Sequence, residues 1–455
     1  MRRDKICRFL WVLVTVPIIF FLCFILKPLW AEEATPKRSG AEDVESKESL
    51  PVEPRVYADD GDEVLDRIIY VAGLNAAYTL SHQEGTGDSF SGGDIEGLLS
   101  PRYNFSDNMS FTLMYNGNYN KRLDFYSDNV GPRGRNEFQR HNISPMLRIK
   151  FGENSRYFVV PSFFHTRTYN KDVEGGGWSD GLYNYRDYGG GLDFGVEDLG
   201  FGKAEDGNLR VGLQYYEREY PNYDSLLDLA TGNAVEEDER DYQGILGKVG
   251  YVWRQEAGLS WGADYYLLYK MLDDKKVVDV PSGVLSSDDQ RDYLHSLSGR
   301  MWYDIPDFGS RLRVGMDLNG SLYDSNQNYY DGMGTTDLAD NVPIEDFYDY
   351  YSYSVRPNIL YTFGTLPITT GLSYSYQRLD YRDRRAQYSN GTYKNDKQYE
   401  NQHVWGLNLR YNLSDDLGFY GQYQYVDVSS NNDNETVYEY DHIVHTFYLG
   451  VSLRL

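Results

Sequence analysis

The chain has 455 residues, 44 of them Tyr and 44 Gly, with a formal charge of -25 and a mean hydropathy of -0.60. Its two cysteines, Cys7 and Cys23, both lie near the amino terminus, so the remainder has no disulfide, thiolate metal site or thiol nucleophile. After residue 31 no window supplies the roughly eighteen apolar residues of a membrane-crossing helix, and so acidic a chain is expected to have no nucleic-acid partner.

In chain order, Arg2, Arg3, Lys5 and Arg8 precede an apolar run from Phe9 to Leu26, followed by Leu29-Trp30-Ala31. This pattern predicts a secretory signal peptide over residues 1–31, cleaved near Ala31. A retained membrane anchor is the rival reading, because Lys27-Pro28 interrupts the approach to the cleavage site. Cys23 stands too early for a lipoprotein cleavage site. Residues 32–64 are rich in Glu, Lys, Ser, Pro and Asp and cannot bury enough apolar surface to fold, which predicts a disordered acidic tether.

From about residue 65 the sequence breaks into about sixteen segments of ten to fifteen residues with a two-residue period. Met109, Phe111, Leu113 and Tyr115 alternate with polar neighbours, as do Ile143, Leu147, Ile149 and Phe151. Leu209, Val211, Leu213 and Tyr215 oppose Arg210, Gly212 and Gln214, and Leu312, Val314, Met316 and Leu318 oppose Arg311, Arg313 and Asp317. Short turns such as residues 105–108, 151–155, 254–257, 305–309, 363–366 and 414–417 alternate with long polar loops near 123–137, 171–182, 222–240, 273–290, 325–347, 382–397 and 428–438. Residues 198–208 break the rule, being long for the short-turn side. The alternation predicts an all-β fold for residues 65–455: a transmembrane antiparallel β-barrel of about 16 strands, with short periplasmic turns and long extracellular loops. An even strand number returns both ends of the barrel to the periplasm, beside the tether.

The last segment places Phe447, Leu449, Val451, Leu453 and Leu455 on one face and Tyr448, Gly450, Ser452 and Arg454 on the other. It resembles the closing strand of bacterial outer-membrane β-barrels, although that family usually ends in Phe rather than Leu. The region as a whole resembles porin-like outer-membrane barrels with a Tyr- and Asn-rich last hairpin, here Tyr423-Gln-Tyr-Val-Asp-Val-Ser-Ser-Asn-Asn432 followed by Tyr438-Glu-Tyr-Asp. The resemblance implies a bacterial outer-membrane location and passive transport of small hydrophilic solutes. It also implies that outer-membrane lipid, lipopolysaccharide and the barrel assembly machinery, which reads the closing strand, are partners. An accessory barrel of an exopolysaccharide export system, or a structural or adhesive barrel with an occluded lumen, would carry the same features.

Loss of the signal segment removes five cations and one anion and leaves a mature charge near -29, much of it in the loops at Glu236-Glu-Asp-Glu239, Asp273-Asp274, Asp288-Asp289, Asp337, Asp340 and Glu345-Asp346. The strand faces differ. Arg102, Arg148, Lys150, Arg210, Arg300, Arg311, Arg313, Arg356, Arg410 and Arg454 fall on the inward phase near short turns and predict a basic belt in the periplasmic half of the lumen. Inward acids Asp94, Glu96, Asp193, Asp264 and Asp317 are candidate partners. Such opposed rows orient polar solutes, or simply solvate the interior and pair with one another. Inward Tyr216, Tyr266 and Tyr420 could stack sugars.

Catalytic patterns are missing. His141 and Ser144 are three apart and so face opposite sides of a strand, Asp441-His442 lacks a second acidic pair, and the seven histidines look scattered, without zinc-ligand spacing. Gly175–Gly177 and Gly189–Gly191 suit relief of crowding better than phosphate binding. The expectation is a protein that is not an enzyme, with no cofactor and no metal.

Overall fold

The computed structural model describes residues 68–454, apart from 70, 85–88, 127–135, 172–176, 180, 200–205, 224–238, 256–257, 281–284, 306–310, 332–341, 365 and 435–440. The expected signal peptide, the whole of the expected tether and Leu455 lie outside the described residues. The first eight strands are β1 (Ala72–Glu84), β2 (Ser89–Leu99, resuming as Arg102–Ser106), β3 (Met109–Tyr126), β4 (Asn136–Phe151), β5 (Tyr157–Lys171), β6 (Tyr185–Val196), β7 (Asp206–Glu219) and β8 (Tyr242–Arg254). The rest are β9 (Leu259–Val278), β10 (Leu285–Ile305), β11 (Arg311–Ser325), β12 (Tyr350–Thr362), β13 (Ile368–Gln387), β14 (Tyr393–Asn412), β15 (Leu417–Ser430) and β16 (His442–Arg454). Each pairs antiparallel with its sequence neighbours, and β16 returns to β1 from Gly73 opposite Arg454 to Glu84 opposite Ile443. The result is a closed antiparallel barrel of sixteen strands, so no sheet edge is left unpaired. No helix among the described residues is long and apolar enough to cross a membrane, and the strands do the crossing.

Closure gives the sheet an inside and an outside, and the two-residue period sorts side chains between them. Leu74, Tyr78, Leu80, Leu192, Leu213, Leu372, Leu407, Leu409, Phe447 and Leu449 stand exposed on the outer face, with Phe163 the extreme at 69 %. Only six apolar side chains among the described residues are buried, namely Phe158, Val196, Leu272, Val277, Phe347 and Ala386. A water-soluble domain of this size would invert that proportion; here the hydrophobic side chains turn outward because lipid is the apolar phase.

The histidines are not scattered once the chain is folded. His141, His295, His403 and His445 all face outward, and their Nδ1 atoms lie 2.8–2.9 Å from the hydroxyls of Tyr115, Tyr265, Tyr374 and Tyr423. His165 stacks on Tyr188 with ring centroids 5.0 Å apart, and His82 lies opposite His445 in the β1–β16 ladder. Each of these six lies eight to ten residues from the short-turn end of its strand, as His141 does from Phe151 and His165 from Tyr157. At about 3.3 Å per residue and a tilt near 40°, that spacing is a rise of roughly 20–25 Å, the height of the apolar band of such barrels. The histidines mark its upper, extracellular border.

Two predicted loops are corrected by the structure. The polarity of residues 273–290 and 382–397 predicts loops, yet β9–β10 and β13–β14 run on as hairpins until Val278 pairs with Leu285 and Gln387 with Tyr393. Above the membrane both faces of a hairpin meet water, so polarity no longer argues against a strand. Tyr329–Asp331 and Val342–Ile344 form a further small hairpin inside the predicted loop 325–347. The segment at 183–197 is a full barrel strand, and part of the connection after it lies outside the described residues.

Candidate functional site

The inward face is polar along its length, and its charged groups are held by neighbours that the register brings close. Near the short-turn end, Arg148 and Lys150 both contact Glu197, Lys150 at 2.9 Å. The Arg148 guanidinium also lies 4.1 Å from the centroid of the Phe158 ring, with Arg210 5.9 Å from the same ring. Phe158 can occupy this place because Gly195 faces it: a Cβ there would stand 2.1 Å from the ring. An inward aromatic thus supports two of the predicted arginines.

Farther round the same inward face, Asp304 accepts two bonds from each of two arginines. Arg311 reaches it at 3.2 and 3.0 Å and Arg313 at 2.8 and 2.9 Å, a doubly bidentate clamp. Farther up, Arg300, Asp317 and Arg356 occupy directly opposed positions on β10, β11 and β12, and Asp317 accepts a bond from the Asn358 amide at 3.2 Å. Asp264 stands opposite Gly250, which stands opposite Arg210. Lys248 bridges to Asp193 at 2.8 Å. Arg102 donates to Asn104 at 3.1 Å and Arg410 to Asn412 at 2.9 Å, and Arg454 ends β16 opposite Gly73. Asp94 accepts from Thr79 at 3.3 Å and from Asn120, and Glu96 from Asn118 at 3.3 Å, so these two acids meet amides and a hydroxyl rather than the arginines.

Four residues of this arrangement, Glu197, Asp304, Phe158 and Lys248, escaped the sequence reading. Asp304 and Lys248 carried a signal that could have found them, since both lie on the inward phase; Glu197 lies just beyond β6 and is brought to Arg148 only by the barrel. Of the inward tyrosines, Tyr216 packs on Phe164 and Tyr242, with centroids 6.2 and 5.9 Å away, and Tyr420 lies over Gly450. Tyr323, Tyr350 and Tyr381 continue the upper wall as one opposed row.

At the extracellular mouth the polar side chains are buried together. Asp292 accepts from Ser325 at 2.7 Å and from Gln290 at 2.9 Å, while Gln327 donates to the Lys276 carbonyl at 2.9 Å and so ties the 326–328 segment to the tip of β9. Asp349, in the turn before β12, bonds the Ser325 N–H and the Arg382 guanidinium, each at 2.8 Å. Burial and the adjacent Asp324 carboxylate outweigh Arg382 and push Asp349 up to about 7.

No group of three or more His, Cys, Asp or Glu among the described residues could hold a metal ion. His141 bonds Tyr115 on the outer face, whereas Ser144 donates inward-side to the Phe163 carbonyl, so the two do not meet.

No protein-family model and no curated protein matches the sequence. Solved structures with a similar fold include a loop L8 deletion mutant of OmpT, an outer membrane protein of Vibrio cholerae, at 11% identity and TM-score 0.43 over 86% of this chain and 100% of that one. OccAB1 of Acinetobacter baumannii matches at 9% identity and TM-score 0.41 over 87% and 99%. A bacterial polysaccharide outer membrane secretin matches at 10% identity and TM-score 0.38 over 85% and 98%.

Proposed function

We propose that this barrel is a passive channel for small hydrophilic solutes across the bacterial outer membrane. The observation that carries the reading is the charged lining of a sixteen-strand wall: Arg300, Asp317 and Arg356 in one opposed row, with the Asp304 clamp and the Arg148–Phe158–Arg210 support beneath them. A barrel of about eight strands fills its interior with side chains, while one of sixteen encloses water. Arginines facing that water, several of them held by an acid, amide or ring, present a standing transverse field to a passing solute. In this reading the basic belt is Arg102, Arg148, Lys150, Arg210, Arg300, Arg311, Arg313, Arg356, Arg410 and Arg454, and the closing strand of Phe447, Leu449, Val451 and Leu453 is what the assembly machinery engages. The solutes are guided by charge rather than captured, and no bond is made or broken.

The test is single-channel conductance of the refolded protein in a planar bilayer, with reversal potentials in a salt gradient. Steady conductance with a reversal potential set by the inward charges is the expected result. A correctly folded, heat-modifiable barrel that passes no current would overturn the proposal.

A further inference from the structure

The histidine border on the outer wall is not uniform. Between β4 and β5 it widens into a groove of ≈ 710 Å³ whose lining includes His141, Ile143, His165, Arg167, Tyr169 and Trp178, with no carboxylate. His141 and Arg167 are directly opposed in the β4–β5 ladder, so imidazole and guanidinium stand side by side on the lipid-facing surface. The Tyr115 hydroxyl and His141 Nδ1 share a hydrogen bond of 2.9 Å, which holds the imidazole in place on the outer face. His165 Nδ1 donates to the Asp187 carbonyl at 3.0 Å, which fixes its ring against the wall.

The guanidinium of this groove differs from other cations near the same height. Arg186 is neutralised by Glu219, Arg378 by Asp380 and Lys121 by Glu137. Arg167 instead lies 5.1 Å over the Tyr169 ring, and the described residues give it no ion pair; Lys171, two residues above Tyr169, lies 5.9 Å over the Trp178 ring and stands opposite Glu137 in the β4–β5 ladder. The Arg167 charge is directed to the level at which lipid headgroups lie, and Ile143 with the exposed outer face beneath it continues down to acyl-chain depth. An anion attached to an apolar tail satisfies both halves of the groove, whereas a free anion satisfies only one.

We propose that this groove docks the phosphorylated headgroup of an outer-leaflet lipid, with Arg167 and His141 on the phosphate and Ile143 against the first acyl chain. The proposal rests on the orientation of the barrel and is independent of whether the lumen conducts.

The probes are a phosphorylated glycolipid, the same lipid with its phosphates removed, and inorganic phosphate, each titrated against the full chain refolded in detergent micelles and read by native mass spectrometry. One retained copy of the phosphorylated lipid is expected, with binding of the dephosphorylated lipid, and of phosphorylated lipid to Arg167→Gln, at least about tenfold weaker, the loss of a charged hydrogen-bond pair. Arg167→Lys should keep most of the affinity. Equal binding of the two lipids, or an Arg167→Gln barrel that binds undiminished, overturns the proposal; so does inorganic phosphate at millimolar concentration displacing the lipid, which would make this a plain anion site. If Arg167→Gln fails the heat-modifiability check for folding, the comparison of the two lipids on the unaltered chain decides alone.

Discussion

Asp304→Asn is the most informative single change, because it removes one charge and almost no volume from a clamp on two inward arginines. The side chains of Asp304, Arg311 and Arg313 are 28 %, 36 % and 21 % exposed, so the pairs are partly screened. The stability cost is therefore about 1–3 kcal/mol, with the more open Arg311 contributing the smaller share. The electrical effect is easier to isolate. An ion passing about 10 Å away feels the lost charge as ~0.4 kcal/mol in water, or ~0.15 kcal/mol after one Debye length at 0.1 M salt. Cation and anion respond with opposite sign, so the anion-to-cation permeability ratio should rise roughly 1.7- to 4-fold. In a tenfold salt gradient, where an ideally selective pore gives about 59 mV, the reversal potential should move toward the anion limit by roughly 10–25 mV. A folded variant whose reversal potential is unchanged, or moves toward cations, would refute both the inward placement of this clamp and its influence on permeating ions.

Leu449, 66 % exposed and midway between Arg454 and His445, faces the centre of the apolar band, so Leu449→Arg should cost about 2–4 kcal/mol of folding in vesicles, measured by urea titration. Tyr448→Arg, on the inward phase beside it, should refold almost as well as the parent chain. At Gly450 an added Cβ would meet the Tyr420 ring at 2.3 Å and the Ala76 carbonyl at 2.7 Å, so Gly450→Ala should destabilise closure by about 1–3 kcal/mol, seen as a lower midpoint in the same titration. Asp349 keeps its proton to about pH 7 in the folded loop, whereas an unfolded aspartate releases it near 3.8. Its contribution to loop order is thus full below about pH 4 and lost as the pH rises through 7, so limited proteolysis of this loop should quicken from pH 6 to 8, and Asp349→Asn should flatten that dependence. One residue inserted between Val211 and Gly212 should abolish refolding, while one inserted between Asp274 and Lys275 should be tolerated, with heat-modifiable gel mobility as the readout.

The faces of the strands were legible because lipid is the same partner for every outward residue. Val211 or Leu407 needs no particular neighbour to be recognised as outward, only its phase. Partnerships were not legible in that way. Glu197 reaches Arg148 and Lys150 across 49 and 47 residues of sequence, and nothing local marks it as their counterion. The histidine border was hidden for a related reason: His141, His295, His403 and His445 share no spacing along the chain, and become a set only when each is measured from its own short turn. Hairpin length was misread at 273–290 and 382–397 because alternation of polarity reports a strand only where one face is apolar. Once β9 and β13 rise above the histidines, that signal stops while the hydrogen-bonded ladder continues.

The position of the irregularities follows from the same constraint. Register shifts occur between Leu272 and Lys276 on β9, between Asp380 and Arg385 on β13, at Ser89 and Phe90 on β2, and between Asn104 and Ser106 beside a short turn. All lie at strand ends, outside the span from the short turns to the histidines; within it the ladders of β7 with β8 and of β14 with β15 run unbroken. A shift of one residue exchanges the faces of everything beyond it, so inside the band it would turn Arg210 or Arg410 to lipid and Leu213 or Leu409 to the lumen. Above the band the exchange costs little, because water lies on both sides. The inward charges and the outward histidines are therefore specified together: each strand can place both correctly only if its two-residue period is kept from the short turn to the upper border, and can vary freely only beyond it.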